Sequence, residues 1–316
     1  MFGLFTPRQP LATSEKAWTE SHMCWLADLF GLERLLQARV VLPTEEFFPE
    51  AFVPTPGGVR KLLEQVCDFM GVDHTRLSLE ILHPQQVPHA AGHHDSTNHD
   101  TQGSVIRVNK DVLSNPVALL ATLAHEVAHE LLLGKPLPRE DVLDFERLTD
   151  LLPAYLGLGI LGANAVLFEA SGQDGYMSWW RMQRQGYLPA RVFGYALALF
   201  AFMRGERGAD WAGMLRLDAQ TVFRDGLKYL HKTGDSLFHP DTIHKKPRCP
   251  STGELIHWLS QGTPTFRMAA LWQLRAPEHK HSRTLEAVLA CLDDDDPEIP
   301  GQAALTLGSM GELARP

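Results

Sequence analysis

Residues 115–134, NPVALLATLAHEVAHELLLG, decide how this chain is read. Asn115 is placed to act as an N-cap, and Pro116 suits the first helical position, where an amide hydrogen has no intrahelical partner. Gly134 suits a left-handed stop, and Pro136 just beyond it cannot continue a helix. Between these signals Leu119, Leu120, Leu123, Val127 and Leu131 supply an apolar surface. The stretch predicts one core helix of about five turns.

His125, Glu126 and His129 in this helix form the pattern H-E-x-x-H. Side chains four apart lie one turn above another, so the two imidazoles can reach a common point while Glu126 stands beside it. Zn²⁺ held in this way lowers the pKa of a bound water to about 7, and an adjacent carboxylate can take the proton as the water attacks a carbonyl carbon. That is hydrolysis without a covalent intermediate. The plainer reading is a helix bearing two solvated histidines, since 15 histidines in the chain make a chance match a matter of about a few per cent.

A catalytic zinc site needs a third protein ligand and one open position. Residues 139–152, REDVLDFERLTDLL, have the pattern of a second amphipathic helix and carry Glu146 and Asp150 four apart on one face. H-E-x-x-H followed by a helix bearing E-x-x-x-D resembles the gluzincins, a class of zinc metallopeptidases. The resemblance implies His125, His129 and Glu146 as metal ligands, Glu126 as general base and Asp150 as the acceptor that orients a ligand imidazole. A solvated acidic face is the alternative for Glu146 and Asp150. Two other zincin classes fit less well: no G-x-x-H follows His129 at metzincin spacing, and no upstream cysteine ligand of the peptide deformylase kind can be placed.

Upstream, Val59, Leu62, Leu63, Val66, Cys67 and Met70 recur at helical spacing and Gly71 offers a stop, which predicts an amphipathic helix. Residues 77–82 (LSLEIL) and 104–108 (SVIRV) alternate between apolar and polar and predict strands. Helix, strand, strand, active-site helix, ligand helix is also the order of compact gluzincin-like domains. In that resemblance the strand before the zinc helix rims the cleft and pairs with an extended substrate, a role that falls to residues 104–108. The five-histidine segment 83–103 between the strands reads as a solvated loop over the cleft, with a second metal site as the alternative. Earlier still, residues 15–30 read as a helix, 39–42 as a short strand and 44–56 as a proline-rich connection.

Downstream, residues 151–168 (LLPAYLGLGILGANAVLF) are eighteen residues without a charge, at the threshold for a membrane span. Pro153, Asn164 and three glycines argue instead for a buried core segment behind the site. Residues 172–244 read as largely helical, with 191–204 as an apolar core helix. Tyr176, Tyr187, Tyr195, His231, His239 and His244 are all candidate donors to the oxyanion formed at an attacked carbonyl. After a linker at 245–250, an internal repeat shifted by 33 residues aligns Leu255 with Val288, Pro264 with Pro297, Ala270 with Ala303 and Leu274 with Leu307. This resembles HEAT-type helical repeats, with Pro300-Gly301 a departure from their pattern. About two units are visible, so they either dock on preceding helices or form part of a longer array, the expectation here. Asp293 to Asp296 read as a solvated loop rather than a calcium site.

Composition sets the outer limits. A length of 316 residues allows two domains, and 29 basic against 38 acidic residues, a net charge of −9, argue against a general nucleic-acid surface. Four cysteines without C-x-x-C spacing read as free thiols of a reducing compartment, and the N-terminus carries no secretory pattern. The sequence thus predicts an α+β fold: a mostly helical, zincin-like catalytic domain with a short sheet over residues 1–170, a helical extension over 171–245 and HEAT-like repeats over 251–316. The expected protein is a cytoplasmic zinc peptidase acting on a peptide or protein, with a protein partner recruited by the repeats. It has no nucleic-acid role in this reading. The alternative is a non-catalytic repeat scaffold with a structural or inactive zincin-like domain, and a membrane-integrated protease, predicting detergent-dependent solubility, is a third.

Overall fold

The computed structural model describes residues 7–83, 92–96, 103–133, 135, 142–165, 167–174, 177–184, 188–243 and 250–311. In chain order its first elements are α1 (Thr13–Phe30), α2 (Leu32–Gln37), α3 (Pro56–Met70), β1 (Leu77–Leu82), β2 (Gly92–Asp95) and β3 (Ser104–Asn109). The middle of the chain forms α4 (Pro116–Leu132), α5 (Val142–Tyr155), α6 (Gly159–Ala165), β4 (Leu167–Asp174), β5 (Met177–Arg184), α7 (Ala190–Met203), α8 (Leu217–Thr233) and α9 (Pro240–Ile243). Four helices follow: α10 (Thr252–Gln261), α11 (Pro264–Gln273), α12 (Ser282–Leu289) and α13 (Ile299–Ser309). The fold is mostly helical with a small sheet, the α+β class expected. Two compact units contain these elements, one within residues 33–200 and 208–223, the other within 1–32, 201–207 and 224–316.

In the sheet-bearing unit, α3 buries the six residues whose spacing predicts it. Thr55 accepts a hydrogen bond from the Gly58 amide, Pro56 starts the helix, and Gly71 ends it with φ of 67°. α4 begins as expected, with Asn115 Oδ1 accepting from the amides of Val117 and Ala118 at 3.1 Å each. Its last helical residue is Leu132, and the expected stop at Gly134 lies outside the described residues. α5 runs through Pro153 to Tyr155, past the expected end at Leu152, because a proline in the last turn removes only one helical bond.

The sheet is ordered β1-β3-β2, with β1 parallel and β2 antiparallel to β3. β3 alternates buried and half-buried residues, setting Ser104, Ile106 and Val108 inward. α4 packs against α3, β2 and β3 from the core side. This corrects two expectations. Residues 104–108 form the central strand, with both edges already paired, so they cannot accept an extended substrate; the edges belong to β1 and β2. The segment read as a solvated loop supplies β2, whose register pairs His94 with Ile106.

Residues 39–42 form no strand. Val41 is buried and donates a backbone bond to the Gly157 carbonyl at 2.9 Å, with no strand of the described residues paired alongside. The apolar stretch from Leu151 is core as expected: Leu151, Leu152, Tyr155, Leu158, Ile160 and Leu161 are all fully buried. No helix among the described residues is long and apolar enough to cross a membrane. Residues 172–244 depart from the helical expectation at their start, where the backbone of β4 and β5 pairs as an antiparallel ribbon. α7 then follows as a core helix in which every residue but Arg191 is buried.

In the other unit, α10 with α11 and α12 with α13 form two helical hairpins; α12 packs on α10, α13 on α11, and α1 on α11. Leu255, Leu271, Leu274, Val288, Ile299 and Ala303 share one core. A fully buried lysine joins α1 to the later chain. Lys16 Nζ lies 3.0 Å from Glu20 Oε1 and 3.3 Å from Asp235 Oδ2, and it donates to the Asp235 carbonyl and to Thr265 Oγ1 at 2.9 Å each. The acidic run 293–296 is only partly solvated. Asp294 holds Arg267 at 2.8 and 2.9 Å, and Asp296 accepts from Thr13 Oγ1 at 2.8 Å.

Candidate metal centre

α4 and α5 pack side by side, which brings the three expected donors to one place. His125 Nε2 lies 3.1 Å from His129 Nε2 and 3.2 Å from Glu146 Oε2, and His129 Nε2 lies 3.4 Å from the same oxygen. Four ligands set tetrahedrally at zinc bond lengths of roughly 2.0–2.1 Å stand about 3.3 Å apart. The donor set therefore fits a small divalent cation in both chemistry and size. Among the described residues it is the only group of three such side chains so arranged. The side chains of His125, His129 and Glu146 are 15%, 14% and 21% exposed, so the donors are lodged in the core yet open on one side.

Asp150 stands behind His125. Its Oδ1 lies 2.7 Å from His125 Nδ1, and its Oδ2 accepts the Leu188 amide at 2.9 Å. With both oxygens occupied, the carboxylate fixes the imidazole so that Nε2 faces the other donors. Leu188 opens the approach to α7, a partner that no spacing in the sequence could indicate.

The charges of these side chains act on one another. Burial lowers the affinity of His125 for a proton, but Asp150 and Glu146 outweigh it and hold the imidazole well above its ordinary pKa. Burial dominates at His129, which lies below its ordinary value. Burial raises Glu146, yet hydrogen bonds from both imidazoles outweigh it and bring the carboxyl to about 2. An acid this strong remains a carboxylate throughout the neutral range.

Glu126 occupies a different environment. It is 3% exposed, and its Oε2 is buried with no hydrogen-bond partner among the described residues. Burial, tempered by the neighbouring His125, pushes it up to about 7. A carboxylate this close to neutrality can both accept and release a proton. Its charge interacts with those of His125, His94, Glu146 and Asp150.

Two neighbours were not legible as site residues. Gly92, at the start of β2, lies against this carboxylate: a Cβ added there would fall 2.4 Å from Glu126 Oε1 and 2.7 Å from Thr122 Cγ2. Only glycine lets the edge strand approach so closely. His94, two residues on, places Nε2 2.9 Å from Glu130 Oε2 and stacks its ring 5.9 Å from that of His129. Ser104 Oγ donates to the same Glu130 oxygen at 2.6 Å, so Glu130 ties β2 and β3 to α4. The His-rich composition pointed to the segment; the pairing that orders it is long-range.

Three of the six expected oxyanion donors fall within the described residues. Tyr176, Tyr187 and His244 lie outside the described residues. Tyr195 is fully buried on α7, and His231 and His239 pack edge-on against Phe202 in the other unit. Cys24, Cys67 and Cys291 are free thiols, and Cys249 lies outside the described residues. Burial pushes Cys67 up to about 12, far from a reactive thiolate. Comparison of the chain with known protein families, curated proteins and solved structures gave no match.

Proposed function

We propose that this chain is a zinc-dependent peptidase of gluzincin type, with His125, His129 and Glu146 as the metal ligands and Glu126 as the proton acceptor. The observation that carries the reading is the triangle of two imidazole nitrogens and one carboxylate oxygen, 3.1–3.4 Å on a side, with a buried carboxylate oxygen, unpartnered among the described residues, on the residue that follows His125. Two histidines and one carboxylate suit zinc among common divalent cations, and the bound ion supplies Lewis acidity that acidifies water and polarises a carbonyl.

The chain's own residues do the rest. Glu126 takes the proton from a water as its oxygen bonds to the carbonyl carbon, and passes that proton to the amine nitrogen when the carbon–nitrogen bond breaks. Asp150 holds His125 in the tautomer that presents Nε2. β2, an edge strand seated on Glu126 through Gly92, is the backbone against which an extended peptide would lie. The two stacked helical hairpins suit HEAT-like repeats that position a protein partner, and the sheet with α4 and α5 suits a zincin-like core.

The test is metal content and peptide hydrolysis measured on the parent and three variants. Near one zinc per chain, lost in Glu146→Ala but largely kept in Asp150→Ala and Glu126→Gln, with turnover lost in Glu126→Gln, is the expected result. A parent that takes up no zinc on reconstitution would sink the proposal. Zinc bound without hydrolysis of any peptide in a broad library would leave a structural site in a scaffold protein.

A further inference from the structure

The two imidazoles of the donor group are held in different ways. His125 is oriented from behind by a carboxylate, with Asp150 Oδ1 2.7 Å from its Nδ1. His129 has no such partner: among the described residues nothing is hydrogen-bonded to its Nδ1, and its polar contacts are made by Nε2, 3.1 Å from His125 Nε2 and 3.4 Å from Glu146 Oε2. The torsion that turns an imidazole about its Cβ–Cγ bond is broad and roughly two-fold. Something other than a hydrogen bond must therefore keep Nε2 of His129 turned toward the other donors.

Other rings adjoin it. Phe145, the residue before Glu146 on α5, has its ring centroid 5.3 Å from that of His129 at an interplanar angle of 49°. His94 on β2 lies 5.9 Å away and nearly parallel, at 21°. Both separations fall in the range at which aromatic rings pack. His94 is itself anchored, since the Glu130 oxygen 2.9 Å from its Nε2 also accepts from the fully buried Ser104 at 2.6 Å. Matching spacings bring the strand and the helix together. Gly92 and His94 share one face of β2 about 6.8 Å apart, and Glu126 and Glu130 share one face of α4 about 6 Å apart along its axis. Gly92 meets the first carboxylate and His94 the second, which sets the His94 ring against His129, the residue before Glu130. His93, on the other face of β2, is exposed.

We propose that His94 and Phe145 are positioning residues for His129. Their rings limit rotation of the imidazole and hold its Nε2 toward His125 and Glu146, the part that the Asp150 hydrogen bond plays for His125. β2 thereby takes part in the geometry of the donor group as well as lying against Glu126. Only the effect on zinc rests on the proposed peptidase reading; the orientation of the ring in the metal-free chain does not.

The test separates the rings from the hydrogen bond. His94→Gln keeps an amide that can bond Glu130 but removes the ring, His94→Phe keeps a ring and removes the bond, and Phe145→Leu removes the other ring while leaving an apolar side chain. Two properties of the full chain are measured: the zinc dissociation constant by chelator competition, and, in metal-free protein with ¹³C-labelled histidine, the nuclear Overhauser contacts of the His129 ring protons. His94→Gln and Phe145→Leu should each raise the zinc dissociation constant by about tenfold or more. In the metal-free chain each should weaken the contacts of the His129 ring with the neighbour that remains. His94→Phe should match the parent in both measurements, a rescue that a mere strand anchor would not give. A His94→Gln chain with the parent's ring contacts and zinc affinity overturns the proposal. So does a His94→Phe chain that loses as much as His94→Gln, since the bond to Glu130 would then be what matters. A parent that takes up no zinc overturns the peptidase reading, and the ring contacts of the metal-free chain still decide this one.

Discussion

Glu126 is confined by two neighbours, His125 in its own helix and Gly92 on the strand above, and each makes a separate prediction. Glu126→Gln keeps the volume and removes the basic oxygen; turnover should fall by about 10²–10⁴-fold with zinc retained, as read from kcat and metal stoichiometry on the same sample. Gly92→Ala must displace the carboxylate or the strand, because its new carbon would lie 2.4 Å from Glu126 Oε1. A displacement of about 1 Å costs roughly 10²-fold in rate, again without loss of zinc. Asp150→Asn should weaken zinc binding by about 10–100-fold in a chelator competition, because it disturbs the partner of His125 Nδ1. At this scale the site was legible wherever helical geometry fixes it. His125 and His129 must share a face, and the i to i+4 relation of Glu146 and Asp150 sends one to the donors and the other behind His125. His94 was not legible, because its position depends on the pairing of β2 with β3 and no local rule places a histidine in a strand.

Elements with chemical start and stop signals were readable, and those held by distant partners were not. α3 and α4 begin at Thr55 and Asn115 because those side chains accept the first amides. Asn115→Ala should cost about 1 kcal/mol in denaturant unfolding, since both amides that it caps would lose their acceptor. The sheet was half legible: β1 and β3 alternate, but GHHD in β2 has neither alternation nor strand-forming residues, and its register with residues 105–108 decides which strand is central. The substrate role assigned to residues 104–108 fails for that reason. Ile106→Pro would break the central strand at a fully buried residue, so lost turnover in that variant should be accompanied by lost thermal stability.

For the whole molecule, the buried lysine is the feature that sequence conceals most completely. Lys16 resembles any charged residue of an amphipathic helix, yet it is fully enclosed by Glu20, Asp235 and Thr265. Removing it in Lys16→Ala strands two carboxylates out of water and should destabilise the chain by about 3–5 kcal/mol in denaturant unfolding. Acid should act on the same cluster. Burial raises Asp235, but Lys16, Tyr229 and Thr263 outweigh it and leave the carboxyl below its ordinary pKa. A group depressed on folding stabilises at pH above its unfolded value near 4, and that contribution disappears as pH falls through the lower folded value. Melting temperature should therefore drop more steeply below about pH 4 in the parent than in Asp235→Asn. The bond from Lys16 to Thr265 also spans 249 positions. A ribosome adding about 5–20 residues per second completes that interval in roughly 10–50 seconds. For most of that time the nascent first helix carries an ammonium group whose counter-charge at Asp235, 219 positions on, has not yet been made, so this part of the molecule can close only after both Asp235 and Thr265 have left the ribosome.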